Sequence, residues 1–121
     1  MNIYSLQLFE YKFTNVILMV RPKKSRIVML EPNVTYFKPR AIPLSELEEV
    51  RLSVDEFEAI RLKDVKGLKQ SKAAKKMNVS QSTFHRLLIS ARKKLADAIV
   101  NGKAIKIEGG IYSIKLKGSV K

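Results

Sequence analysis

Cysteine and tryptophan are absent from this chain, and histidine occurs once, as His85. Without cysteine there is no disulfide, no thiolate metal site and no sulfur nucleophile, a composition that fits a reducing cytoplasm. A single histidine cannot build a multi-histidine metal centre. No run reaches the roughly 18 apolar residues that a membrane span needs. Glu10 and Lys12 interrupt the first 20 residues, and no basic leader or small-residue cleavage site accompanies them, so neither a signal peptide nor a membrane partner is expected. A Gly-rich phosphate loop, a metal set and a nucleophile beside a base are all missing, and the carboxylates fall mostly in helix-capping places. The expectation is a protein that is not an enzyme and carries no cofactor.

Acidic residues are scarce in one half only. Residues 1 to 65 hold ten Lys/Arg and nine Asp/Glu, whereas residues 66 to 121 hold fourteen Lys/Arg against Asp97 and Glu108 alone. Nearly all of the formal charge of +13 therefore belongs to the second half. A field of that sign attracts polyanions, because Lys and Arg release the counterions condensed on phosphates. At 121 residues, 45% of them hydrophobic, the chain has room for one compact domain with arms.

The pattern along the chain divides it into 1–43, 44–103 and 104–121. Residues 1 to 18 read weakly as strand, and Met19-Val20-Arg21-Pro22-Lys23-Lys24 has the look of an alternative beginning, so the preceding segment is expected to be a start-site artefact. Four prolines (22, 32, 39, 43) and the basic cluster Arg21, Lys23, Lys24 and Arg26 make residues 21 to 43 an extended arm. Such an arm lies along a DNA backbone, enters a minor groove, or is simply solvated. The stretch from Leu44 to Val50 suggests one or two helical turns capped by Ser45 and Glu48.

Ser53-Val54-Asp55-Glu56 is a second capping box, and Gly67 is placed to end the helix it opens. On that helix Val54, Phe57, Ile60, Leu62 and Val65 share one arc, and Glu58 and Arg61, three residues apart, are expected to pair at the edge of the core. The next helix runs from about Gln70 to Met77 with Ala73, Ala74 and Met77 inward. Asn78 then takes a positive φ in a short turn, Val79 plugs the core and Ser80 caps the third helix. From Gln81 to Asn101, Phe84, Leu87, Leu88, Ala91, Leu95, Ala98 and Ile99 keep three-and-four spacing until Gly102. Beyond it, 104–108 and 111–117 alternate around Gly109-Gly110 as a β-hairpin does.

A short helix, a tight turn and a second helix with a polar, basic outer face form the unit that places its second helix in a major groove. With the apolar stripe inward, Gln81, Ser82, His85, Arg86 and Ile89 face out. Gln bonds adenine, Arg bonds guanine, Ser adapts to several bases and Ile meets a thymine methyl, so Gln81, Ser82, His85 and Arg86 are the candidate base readers. Lys69, Lys72, Lys75 and Lys76 on the first helix, with Thr83, Arg92, Lys93 and Lys94 on the second, are candidate phosphate contacts, and Arg21, Lys23, Lys24 and Arg26 are candidate arm contacts.

Arg21-Pro22-Lys23-Lys24, Leu47-Glu48-Glu49-Val50, Asp55-Glu56-Phe57-Glu58-Ala59-Ile60-Arg61-Leu62, Gly67-Leu68, Met77-Asn78-Val79-Ser80, Thr83-Phe84, Ala91-Arg92-Lys93-Lys94 and Asn101-Gly102-Lys103-Ala104, in this order and spacing, resemble domain-of-unknown-function family 134. The likeness runs from about Val20 to Tyr112. It implies a small prokaryotic DNA-binding protein whose helix-turn-helix is similar to region 4 of sigma-70-type factors, with Gln81, Ser82, Thr83, His85 and Arg86 on the reading helix. The fold expected is thus mainly α, with an extended basic N-terminal arm and a short C-terminal β-hairpin. Members often carry cysteines in the arm and near the C-terminus; this chain has none, so a metal or redox role tied to them is absent here. Lys69 and Lys72 stand where members commonly have Ser or Thr and an acid, which weakens the first helix's cap by on the order of 1 kcal/mol.

The leading expectation is a sequence-specific regulator of transcription that binds double-stranded DNA, with a homodimer left open. Its rivals are an interaction module that docks on RNA polymerase or another partner through the acidic segment 46 to 58, a nonspecific nucleic-acid binder, and an RNA binder. The last is disfavoured because no aromatic-rich sheet is visible.

Overall fold

The computed structural model describes residues 25–115. The expected arm contacts Arg21, Lys23 and Lys24, and the readings made of residues 1 to 18, lie outside them. The elements in order are β1 (Arg26–Val28), β2 (Tyr36–Phe37), a 3-10 turn (Leu44–Glu46), β3 (Glu49–Leu52), α1 (Val54–Ile60) running into a π-helical turn (Arg61–Val65), α2 (Gln70–Met77), α3 (Gln81–Asn101), β4 (Ala104–Ile107) and β5 (Tyr112–Ile114). The protein is mainly α, with short strands gathered from both sides of the helical stretch.

The strands correct three expectations. No hairpin joins β4 to β5. Both edges of β4 are taken, by β2 running antiparallel and by β3 running parallel, so β5 pairs instead with β1. The double glycine does turn the chain, with φ of 81° and 99° at Gly109 and Gly110, but it turns it away from β4. Gly109 O accepts the Val54 amide at 2.9 Å and the Glu108 amide reaches Leu52 O at 3.0 Å, so the turn is fastened to the start of α1. Second, the segment read as an arm is built into the fold from Arg26 onward: β1 and β2 are strands, and Val28 is fully buried. Third, the helical turns expected from Leu44 to Val50 shrink to a 3-10 turn whose cap position is Pro43, with Ser45 inside it, and Glu49–Leu52 is a strand.

The helices follow their signals closely. Ser53 and Glu56 form the capping box, with Ser53 N to Glu56 Oε1 at 2.9 Å and Glu56 N to Ser53 Oγ at 3.3 Å. Gly67, Asn78 and Gly102 all take positive φ at helix ends, and Ser80 Oγ accepts the Thr83 amide at 3.1 Å. Lys69 occupies the cap of α2 without a side-chain cap bond, as its residue type requires. Two apolar positions depart from the wheel. Val65 is 74% exposed because the π turn, closed by Lys66 N to Arg61 O, holds one extra residue and rotates it off the apolar arc. Ile99 is 78% exposed, next to Ala98, the last buried position of α3.

The core has two lobes. Ala59, Leu62, Ala73, Ala74, Met77, Phe84 and Leu88 pack between the three helices, where the two alanines let α2 lie close. Val28, Leu52, Val54, Ala91 and Ile107 pack between the strands, α1 and α3. Ile60 touches both lobes, so α1 is the element on which the helices and the strands are jointly mounted.

Candidate nucleic-acid interface

The apolar stripe of α3 fixes what the helix shows to solvent. With Phe84, Leu88 and Ala91 buried, Gln81, Ser82, His85, Arg86 and Ile89 are exposed, and Thr83 is half-buried. Hydrogen bonds then mark the two flanks of this face. On one, His85 Nδ1 lies 3.3 Å from Gln70 Oε1 at the start of α2. On the other, Ser90 Oγ donates to Glu56 Oε2 at 2.5 Å and Lys94 Nζ to Glu56 Oε1 at 2.8 Å, which tie α3 to α1. The turn of about 100° per residue puts Ser82, Ile89 and Lys93 on the ridge between these flanks. Gln81 falls on the α2 side with His85.

The sequence-derived phosphate contacts separate into two groups. Lys69, Lys72, Lys75 and Lys76 are exposed on α2, and Lys93 is exposed on α3. Arg92 and Lys94 are not free in the same way. Arg92 forms a two-pronged pair with Asp64, Nη2 to Oδ1 at 2.6 Å and Nε to Oδ2 at 3.1 Å, and Lys94 neutralises the buried carboxylate of Glu56. Both remain at the surface, Arg92 in an exposed pair and Lys94 partly buried, so either would have to share its charge with a carboxylate in any phosphate contact. The bonds perturb the acids accordingly. The hydrogen bond from Arg92 holds the Asp64 carboxyl below its usual range against the opposing effect of burial. At Glu56 burial pushes the carboxyl up, but Lys94, Ser90 and the Ser53 amide together outweigh it and leave the group more acidic than usual.

Arg26, expected on an arm, sits on β1 with its side chain only 15% exposed and Nη1 3.3 Å from Asp55 Oδ2. It lines a cleft of about 210 Å3 together with Thr83, Arg86, Ser90, Leu87 and Glu56. This juxtaposition has no signal in the sequence. It depends on β1 pairing with β5, which brings residue 26 beside a helix sixty residues away.

The acidic segment 46 to 58, expected as a rival docking surface, is mostly internal. Asp55, Glu56 and Glu58 are buried, the last completely, and each has a cation: Arg26, Lys94 and Arg61. Glu58 and Arg61 meet at the edge of the core as expected, at 2.8 and 2.9 Å, with Glu58 fully buried and the Arg61 side chain 17% exposed. Glu46, Glu48 and Glu49 remain exposed. Among the described residues no three His, Asp or Glu side chains are grouped to hold a metal ion, and no helix is long and apolar enough to cross a membrane.

What these elements define is a small, mainly α protein that presents a strongly cationic helix pair, with Asp97 near the far end of α3 as its one acid, on one side of a strand-braced core. The chain belongs to the family described as "Protein of unknown function DUF134", whose model matches residues 16–115. Among its relatives, a UPF0251 protein of Caldanaerobacter subterraneus subsp. tengcongensis is 62% identical over 96 residues, 79% of this chain and 81% of the relative. Over the same length, a UPF0251 protein of Thermoanaerobacter pseudethanolicus is 58% identical, covering 79% of this chain and 81% of the relative. A UPF0251 protein of Moorella thermoacetica is 60% identical over 79% of this chain and 64% of the relative. No solved structure matches the chain.

Proposed function

We propose that this protein binds double-stranded DNA in a sequence-specific way and regulates transcription by occupying promoter regions, with α2, the Asn78–Ser80 turn and α3 acting as a helix-turn-helix similar to region 4 of sigma-70-type factors. One observation carries the reading. Between Asp64 and Asp97 the chain has nine Lys/Arg and no Asp/Glu, and Lys66, Lys69, Lys72, Lys75, Lys76, Arg86 and Lys93 among them are exposed. Apart from Asp64, which is taken up by Arg92, these exposed cations have no nearby chain carboxylate among the described pairs to compete with phosphate oxygens. Its polar ridge sits at the N-terminal end of α3, the part of a reading helix that reaches base edges.

In this reading Gln81 and Ser82 contact bases, His85 contacts a base or phosphate beside Gln70, and Ile89 meets a thymine methyl. The α2 lysines and Lys93 hold phosphates and set the register without reading sequence. A homodimer on paired half-sites would seat at the far end of α3, where Ile99 and Val100 are exposed, well away from the ridge. Docking on RNA polymerase through residues 46 to 58 is the weaker reading, since the burial of Asp55, Glu56 and Glu58 removes half of the acidic side chains it needs.

The test is selection from a random duplex pool by the full chain at a stated salt concentration, followed by titration of the selected duplex at several salt concentrations. A consensus, with affinity falling steeply as salt rises, is expected. Retention of no duplex at low ionic strength overturns the proposal, and salt-sensitive retention without a consensus reduces it to nonspecific binding.

A further inference from the structure

Residue type alone makes Arg86 a base reader, because Arg is the commonest partner of guanine. Its geometry says otherwise. Arg86 Nη2 donates to Thr83 Oγ1 at 3.3 Å, and Thr83 Oγ1 in turn accepts from Ser80 Oγ at 3.0 Å. The guanidinium is thus drawn back along α3 towards its capped end and onto the α1 flank, where it lines the cleft shared with Arg26. We propose that Arg26 of β1 and Arg86 of α3 together clamp a single backbone phosphate of the duplex, so that Arg86 positions the protein and does not read sequence. This rests on the DNA-binding reading above.

The chemistry of the cleft suits a phosphate. A guanidinium has five N–H donors in a planar fork that matches two phosphate oxygens at once. Arg26 gives Nη1 to Asp55 and is held in place by strand pairing, with its amide on Ile111 O at 3.3 Å. It therefore offers its remaining donors from a nearly fixed position, at little cost in side-chain entropy. Glu56, the carboxylate in the lining, does not repel an incoming anion as a free acid would. Its Oε1 already accepts Lys94 Nζ and the Ser53 amide and its Oε2 accepts Ser90 Oγ, so both oxygens and the charge are satisfied. The position is also right. Residues on the flank of a reading helix, next to the element that braces it, face the sugar-phosphate wall of the groove, whereas the ridge faces its floor.

The experiment compares wild type with R86Q, R26Q, the double variant and Q81A. For each, affinity is measured on the selected duplex and on a scrambled one across a range of salt concentrations. Both arginine variants should weaken the two duplexes by the same factor, leaving their ratio unchanged. The salt slope of the double variant should fall by about 0.9, the value for one phosphate, and not by about 1.8, the value for two. Q81A should do the reverse, lowering the ratio and keeping the slope. R86Q removes an exposed side chain, so its result stands even if R26Q unfolds through loss of the Asp55 pair, and D55N is then added to R26Q so that no unpaired carboxylate is left buried. Collapse of the ratio in R86Q overturns the inference, as does an unchanged slope in the double variant, or a loss worth two phosphates. If the wild type holds both duplexes while any of these occurs, the clamp alone is wrong; if it holds neither, the DNA-binding reading falls and the clamp with it. Added inorganic phosphate should compete only at concentrations where added chloride of equal ionic strength does; stronger competition by phosphate would mark the cleft as a site for a free anion and overturn the clamp.

Discussion

Asp55, Glu56 and Glu58 crowd three carboxylates into the first turns of α1, and all three are buried. Each such group costs several kcal/mol to take out of water unless it is paired and hydrogen-bonded, and here every one is. Glu58 takes two bonds from Arg61 and one from the Met29 amide at 3.0 Å, so it fastens the end of β1 to α1 as well as holding the arginine. Removing one partner of such a pair leaves the other uncompensated. Arg61→Met should therefore destabilise the protein by about 3 kcal/mol, read as a lower denaturant midpoint, while replacing Glu58 and Arg61 together by apolar residues should recover much of the loss. An Arg61→Met chain as stable as wild type would mean that the pair is not holding this end of α1. The meeting of Glu58 and Arg61 is legible in the sequence, because three residues is a helical neighbour distance. The meetings of Arg26 with Asp55 and of Lys94 with Glu56 are not, because those pairs span 29 and 38 residues and only the tertiary fold brings them together.

Among the elements, α3 is the most readable, since five turns of apolar spacing between Ser80 and Gly102 leave one way to bury the stripe. The strands are the least. Ser45 and Glu48 imitate a capping box, yet Pro43 sets a 3-10 turn and Glu49–Leu52 goes on to pair with β4, because pairing depends on a partner more than fifty residues away. The alternation around Gly109-Gly110 is strand-like on both sides, as expected, and only the pairing partner differs. The turn itself is tightly constrained at Gly110. With φ at +99° and Asp55 Oδ1 only 2.7 Å from where a Cβ would stand, Gly110→Ala meets both backbone strain and a clash with a buried carboxylate. It should lower stability by more than the roughly 1 kcal/mol expected of a strained conformation alone, whereas Gly109→Ala, with open space around it, should be limited to about that amount. Equal midpoints for the two variants in thermal unfolding would show that the contact with Asp55 is not a constraint.

At the scale of the whole molecule, strands from before and after the helices close around α1 and α3, and the cationic pair α2 and α3 is left facing solvent from a braced support. The basic second half is legible as charge, and the exposed ridge as a wheel. The division of that charge is not: Arg92 is paired with Asp64 at the surface, Lys94 with the buried Glu56, and Arg26 is recruited from the far end of the chain. The family match spans residues 16–115, and the function proposed for the chain rests on where the remaining charge points. The most direct measurement is an amide chemical-shift map of the labelled full chain titrated with its selected duplex. If the cationic helix pair is the DNA-binding face, the largest shifts fall at Gln81 to Lys93, at Lys69 to Lys76 and around Arg26, with β2, β3 and the Ile99–Val100 end of α3 little changed. Shifts concentrated on the strand side or on that far end of α3, with the ridge silent, would contradict it.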